Sequence, residues 1–98
     1  MKVGSKNKMD EEILKQTAYV TSSNYRVKII EYLQKKQYAN PTSISDDTGI
    51  NASHTSKTLT ELSGHGLVSC INPEARKKRL YCLTSQGRTV LEYLNILK

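Results

Sequence analysis

A mainly α-helical domain with one small β-hairpin is the fold class this sequence predicts, and three observations carry it. Two helix starts follow closely, at Asn40-Pro41 and at Asn51, with Gly49 between them. Two short apolar runs, 67–71 and 79–83, flank an Asn72-Pro73 turn and the cationic run Arg76-Lys77-Lys78-Arg79. Longer segments of helical periodicity stand on both sides of this middle part.

The chain has 98 residues, which fits one domain with one modest core. Residues 1–9 are basic and aperiodic and read as a flexible tail, leaving 10–98 as the domain. Asp10, Glu11 and Glu12 suit a helix start, where carboxylates face the positive end of the dipole. That helix is expected to run to about Val20, with Ile13, Leu14, Thr17 and Ala18 on its apolar side. A second helix is predicted over 24–36, with Tyr25, Ile29, Tyr32 and Leu33 at helical spacing. The tyrosines Tyr25, Tyr32, Tyr38 and Tyr81 are expected in the core.

Asn40 caps a third helix, and Pro41 fits its first position, where a missing N–H costs nothing. Gly49 ends it in the left-handed region. Asn51 caps a fourth helix, about 52–64, whose apolar stripe is Leu59 and Leu62 with Thr55 turned inward. Its remaining face of Ser, His, Thr and Lys is costly as core and suits a polar partner. The strands 67–71 and 79–83 follow, and Thr84 or Ser85 caps a last helix. Val90, Leu91, Leu94 and Leu97 form its stripe, with Tyr93 and Ile96 beside it.

Fifteen Lys and Arg against nine Asp and Glu give a net charge of +6. A small basic domain attracts polyanions, nucleic acid first. The distribution sharpens this: between Ile50 and Arg88 only Glu61 and Glu74 oppose Lys57, Arg88 and the Arg76–Arg79 run. Cys70 and Cys82 are too few for a structural zinc site, and reduced, small buried thiols are expected. No apolar run approaches the ~20 residues of a membrane span. The N-terminus lacks the apolar stretch of a secretory signal, so a cytoplasmic protein is expected. His54 and His65 lie eleven apart with no acidic pair or cysteine nearby, and the glycines form no phosphate-loop pattern. A non-enzyme without cofactor or metal is expected.

Taken in order, these parts resemble the winged helix-turn-helix transcriptional regulators of archaea and bacteria, close to the MarR/ArsR-like group. Arg26, Ile29, Ile30 and Leu33 match the family's R..IL..L helix. Ser43-Ile44-Ser45 and Thr48-Gly49-Ile50-Asn51 match the helix before the turn and the turn itself. Ser53, Thr55, Ser56, Leu59 and Leu62 match the recognition helix, Gly66-Leu67-Val68 the GLV approach to the wing, and Tyr81, Leu83, Thr84 and Gly87 its Y.LT..G exit. Two positions depart from the pattern: Ser45 stands where Ala is common, and Lys57 is the only fixed charge of the recognition helix.

The resemblance implies five helices with a two- or three-stranded wing sheet. It also implies double-stranded DNA as partner, with the recognition helix in the major groove. Asn51, Ser53, His54, Ser56 and Lys57 would then read the groove, and Thr42 and Ser43 would meet phosphates. Arg76, Lys77, Lys78 and Arg79 would straddle the backbone or enter the minor groove. A homodimer through Ile13, Leu14, Val90, Leu91, Tyr93, Leu94 and Leu97 is expected, and the sequence names no small-molecule effector. Two other readings stay open: a protein-interaction winged-helix subunit of a larger complex, or a non-specific nucleic-acid-binding protein.

Overall fold

The computed structural model describes residues 7–97, with side chains described over 11–96. Its elements run α1 (Asn7–Thr21), α2 (Asn24–Lys36), α3 (Pro41–Thr48), α4 (Ala52–Gly64), β1 (Val68–Cys70), β2 (Tyr81–Leu83) and α5 (Ser85–Leu97). The expected class is therefore found: mainly α with one antiparallel hairpin. Only the last three residues of the expected 1–9 tail are described, and there α1 has already begun at Asn7.

α2 is the hub and packs on α1, α3, α4, α5 and β2. Its Ile29, Ile30 and Leu33 meet Val20, Ile44, Leu59, Leu62 and Val90 in one cluster. Each such side chain removed from water contributes ~1.5–3 kcal/mol, so a lean sequence still closes a core.

Local signals set the helix ends. Ser23, Asn40 and Asn51 each accept a backbone N–H from the residue three positions on, at 3.4, 2.8 and 2.8 Å. Gly49 takes φ +80° at the end of α3. At the end of α4, Leu67 N–H reaches the Leu62 carbonyl (2.9 Å) and Gly66 N–H the Ser63 carbonyl (3.0 Å). Gly66 takes φ +72° there, and Leu62 and Leu67 are both buried. This is the Schellman ending, in which a left-handed glycine turns the chain out of the helix.

The strands are shorter than the expected 67–71 and 79–83. Leu67 is spent on the helix ending. Beyond Cys70 one backbone bond remains, from Ile71 N–H to the Leu80 carbonyl at 2.7 Å, and then a side chain takes over: Asn72 Oδ1 accepts from Leu80 N–H at 2.7 Å. A third strand is reduced to one bridge, Ala39 to Tyr81, because α3 starts at Pro41 two residues later.

The last helix is fastened by the LT..G motif. Thr84 Oγ1 donates to the Gly66 carbonyl (2.7 Å) and accepts from Gly87 N–H (3.0 Å). A Cβ on Gly87 would lie 2.2 Å from the Leu67 carbonyl oxygen, so α5 touches the backbone leading into β1.

Three expectations need correction. Ile13, Val90, Leu91 and Leu94 of the expected dimer surface are buried within the single chain, because α1 packs on α5. Leu14 is 54 % exposed and Tyr93 half-buried, while the Leu97 side chain lies outside the described residues. Tyr25 and Tyr38 are exposed rather than core, whereas Tyr32 and Tyr81 do pack against it. Cys70 and Cys82 are half-buried free thiols. Their pairing partners are Tyr81 and Ser69, so they project from opposite faces of the hairpin.

Candidate nucleic-acid interface

At about 100° per residue, α4 sorts its side chains into four directions. Thr55, Thr58, Leu59 and Leu62 turn inward and are buried. Ser53, Lys57 and Thr60 form the outward ridge, all exposed. Ser56 lies on one flank; His54 and Glu61 lie on the other. Thr55 is inward as expected, and Thr58 joins it, which the sequence reading missed.

The front of α4 is pinned by hydroxyls. Ser45 Oγ donates to the Ile50 carbonyl at 2.6 Å, and Thr55 Oγ1 donates to the same oxygen at 3.3 Å. Thr48 Oγ1 donates to the Ile44 carbonyl (2.6 Å) and accepts from Ile50 N–H (3.3 Å). Ser45, the departure from the usual Ala, thus fastens α3 to the turn before α4.

Capping takes up part of what the sequence reading assigned to phosphates. The Ser43 N–H is held by Asn40 and the His54 N–H by Asn51. Asn51 Oδ1 also accepts from Ser53 Oγ at 3.1 Å. Asn51 therefore spends its oxygen on the helix, and Ser53 turns its hydrogen toward the cap. The exposed imidazole of His54 and ammonium of Lys57 remain outward.

The wing loop is built on Asn72. Its Nδ2 donates to the Lys78 carbonyl (3.3 Å), and its carbonyl accepts from Ala75 N–H (3.0 Å). Lys78 sits at φ +56°, and Arg79 Nε donates to the Ala75 carbonyl at 2.8 Å. All four cations, Arg76, Lys77, Lys78 and Arg79, are exposed. Arg76, Lys78 and Arg79 line an open groove together with Thr42 of α3 and Ser56 of α4. The loop cations and the Ser56 flank of α4 thus face one space. Lys77 does not line it.

On the opposite flank, Arg26 holds α4. Its Nε lies 3.1 Å from Glu61 Oε1, and its Nη1 donates to the Tyr19 carbonyl (2.7 Å) and Ser22 Oγ (2.9 Å). Its guanidinium lies 3.8 Å from the Tyr19 ring centroid. Tyr19 also stacks on His65, at 3.7 Å between centroids. Gln16 Nε2 donates to the His65 carbonyl (3.1 Å), and Gln16 Oε1 faces His65 Nδ1 (3.3 Å). Tyr25 sets its ring 5.0 Å from that of His54, inclined by 36°. On α3, Asp47 Oδ2 accepts from the Tyr32 hydroxyl at 2.6 Å. Burial, then that hydrogen bond and the charges of Asp47 and Asp46, push the Tyr32 phenol up to about 12.

The winged helix-turn-helix family profile matches residues 21–98. The chain belongs to the winged helix-turn-helix family. No match was found among curated protein sequences. Solved structures with the same fold include RV1404 from Mycobacterium tuberculosis, 18 % identical, at a TM-score of 0.71, covering 96 % of this chain and 66 % of its own. A cysteine-to-serine mutant of MarR from E. coli, solved with operator DNA, is 15 % identical at a TM-score of 0.70, covering 95 % and 73 %. The homodimeric winged helix-turn-helix domain of Mb0332 from Mycobacterium bovis, a possible ArsR-family regulator, is 17 % identical at 0.68, covering 94 % and 82 %. The winged helix described here thus spans just under two thirds of the RV1404 structure.

Among the described residues, no three or more His, Cys, Asp or Glu gather as a metal site. No described helix is long and apolar enough to cross a membrane.

Proposed function

We propose that this winged helix is a DNA-binding transcriptional regulator acting in a prokaryotic cytoplasm. α4 enters the major groove, led by His54 and Lys57 with Ser53 and Ser56 beside them. Thr42 and the wing cations take phosphates, or the wing tip enters the minor groove. The groove shared by Thr42, Ser56, Arg76, Lys78 and Arg79 carries the reading. A hydroxyl-bearing helix and a cationic prong on one side are what a duplex needs and what a solubilising turn does not.

Most of the affinity should come from phosphate contacts and fall steeply with salt. Mobility shifts of duplex DNA at two salt concentrations, with and without competitor RNA, test this. Replacing Arg76, Lys77, Lys78 and Arg79 together by Ala should weaken binding to every sequence. Retention of full affinity by that variant would defeat the proposed docking. Competition by RNA as effective as by duplex would favour a non-specific nucleic-acid binder instead.

The reading includes a homodimer through the terminal helices. Ile96 at 77 % and Leu14 at 54 % exposure support it, since both lie on helices whose Ile13, Val20, Val90, Leu91 and Leu94 are covered. The homodimeric Mb0332 domain shares this fold. A two-fold dimer would set its recognition helices on half-sites about 34 Å apart. Light scattering checks this, and a monomer at tens of micromolar ends it.

A further inference from the structure

We propose that Tyr25 is a DNA-contacting residue, meeting the phosphate strand on the wall of the major groove opposite the wing. This rests on the reading of α4 as the groove helix.

Ser56 and His54 lie on opposite flanks of α4, roughly 160° apart by helical spacing. Ser56 faces the wing cations across the open groove. The flank of His54 faces α2, whose Tyr25 ring lies 5.0 Å away. A helix seated in a major groove has a phosphate strand on either side. The wing serves one of them. Tyr25 borders the other, 39 % exposed although it starts the apolar stripe of α2. Its hydroxyl has no hydrogen-bond partner among the described residues, so the fold makes no use of it. A phenol O–H donates readily to a phosphate oxygen.

The ring has a second task. It lies against the His54 imidazole and limits where that imidazole can point. Tyr25 is thus a contact through its hydroxyl and a positioning residue through its ring.

The probe is the duplex recovered from a random pool by selection with the wild-type protein. Its phosphates are replaced one at a time by neutral methylphosphonates, and binding is measured for wild type, Tyr25→Phe and the Lys77→Ala/Lys78→Ala wing variant. Tyr25→Phe should bind about three- to tenfold more weakly, the value of one hydrogen bond. It should lose sensitivity at phosphates other than those the wing variant loses. Its thermal unfolding should match wild type, since the hydroxyl holds nothing in the fold. Tyr25→Ala and His54→Ala should alter base preference at the same position, which Tyr25→Phe should leave unchanged. Wild-type affinity and an unaltered phosphate pattern in Tyr25→Phe would overturn the assignment, while the DNA reading survived. Recovery of no duplex by the wild-type protein would overturn both.

Discussion

Arg26 Nε stands 3.1 Å from Glu61 Oε1, so the first turn of α2 grips the back half of α4. The same guanidinium donates to the carbonyl of Tyr19 and covers its ring. One side chain therefore joins α1, α2 and α4. Arg26→Ala should cost about 1.5–3 kcal/mol, the range for hydrogen bonds to a charged group. Arg26→Lys should recover little of it, because an ammonium lacks the planar fork that serves several acceptors. Urea unfolding of both variants is the measurement. A lysine variant as stable as wild type would reduce the site to a simple charge pair.

Gly87→Ala sets two effects against each other. Helix propensity favours alanine by about 1 kcal/mol. The new Cβ would sit 2.2 Å from the Leu67 carbonyl oxygen, a backbone atom that cannot swing away. Overpacking of this kind costs roughly 3 kcal/mol, so the clash should win. A stabilised variant in thermal unfolding would refute the close approach of α5 to β1.

Ser45 and Thr55 share one acceptor, the carbonyl of buried Ile50. Either Ser45→Ala or Thr55→Val alone leaves that oxygen one donor, and each should cost about 1 kcal/mol. Together they strip it, and the loss should exceed the sum by about 1 kcal/mol or more. A double-mutant cycle measures the excess. Strict additivity would mean that the two hydroxyls do not work on a common atom.

The Tyr32–Asp47 bond makes a pH prediction. The Tyr32 phenol is raised to about 12, so the fold favours its neutral form. Its contribution should be complete below pH ~10, the unfolded value, and be lost as pH rises from 10 to 12. The stability gap between wild type and Tyr32→Phe should therefore be flat from pH 7 to 9 and shrink above 10. A gap that grows across that window would reverse the assigned sign.

Cys70 and Cys82 should not form a disulfide within one folded chain. Adjacent register positions place them on opposite faces of the hairpin. Diamide treatment of the native protein followed by mass spectrometry should detect no intramolecular bridge, and finding one would contradict the register.

What the sequence disclosed follows from how local each cause is. Asn40, Gly49 and Asn51 act within three or four residues, so helix limits around the turn were readable to the residue. The apolar stripe of α5 was equally readable, but periodicity says that a face is covered and not by what. Val90, Leu91 and Leu94 were assigned to a second copy, and α1 of the same chain covers them. Tyr25 obeys the helical spacing of α2 yet lies in its first turn, beyond the neighbours that bury Ile29. The Gln16–His65 contact joins residues 49 apart and leaves no mark in any local pattern. In the candidate site, residue types and order were legible. The division of labour between capping and contact was not, because Asn51 suits both tasks.

The Gln16–His65 clasp bears on how α4 can move. Ser45 and Thr55 anchor its leading end to the turn, while Gln16 grips its trailing end by carbonyl and imidazole together. A beam fastened at both ends to separate supports cannot slide lengthwise. Displacing the support at α1 should therefore tilt the trailing end about the fixed one rather than carry the helix along its axis.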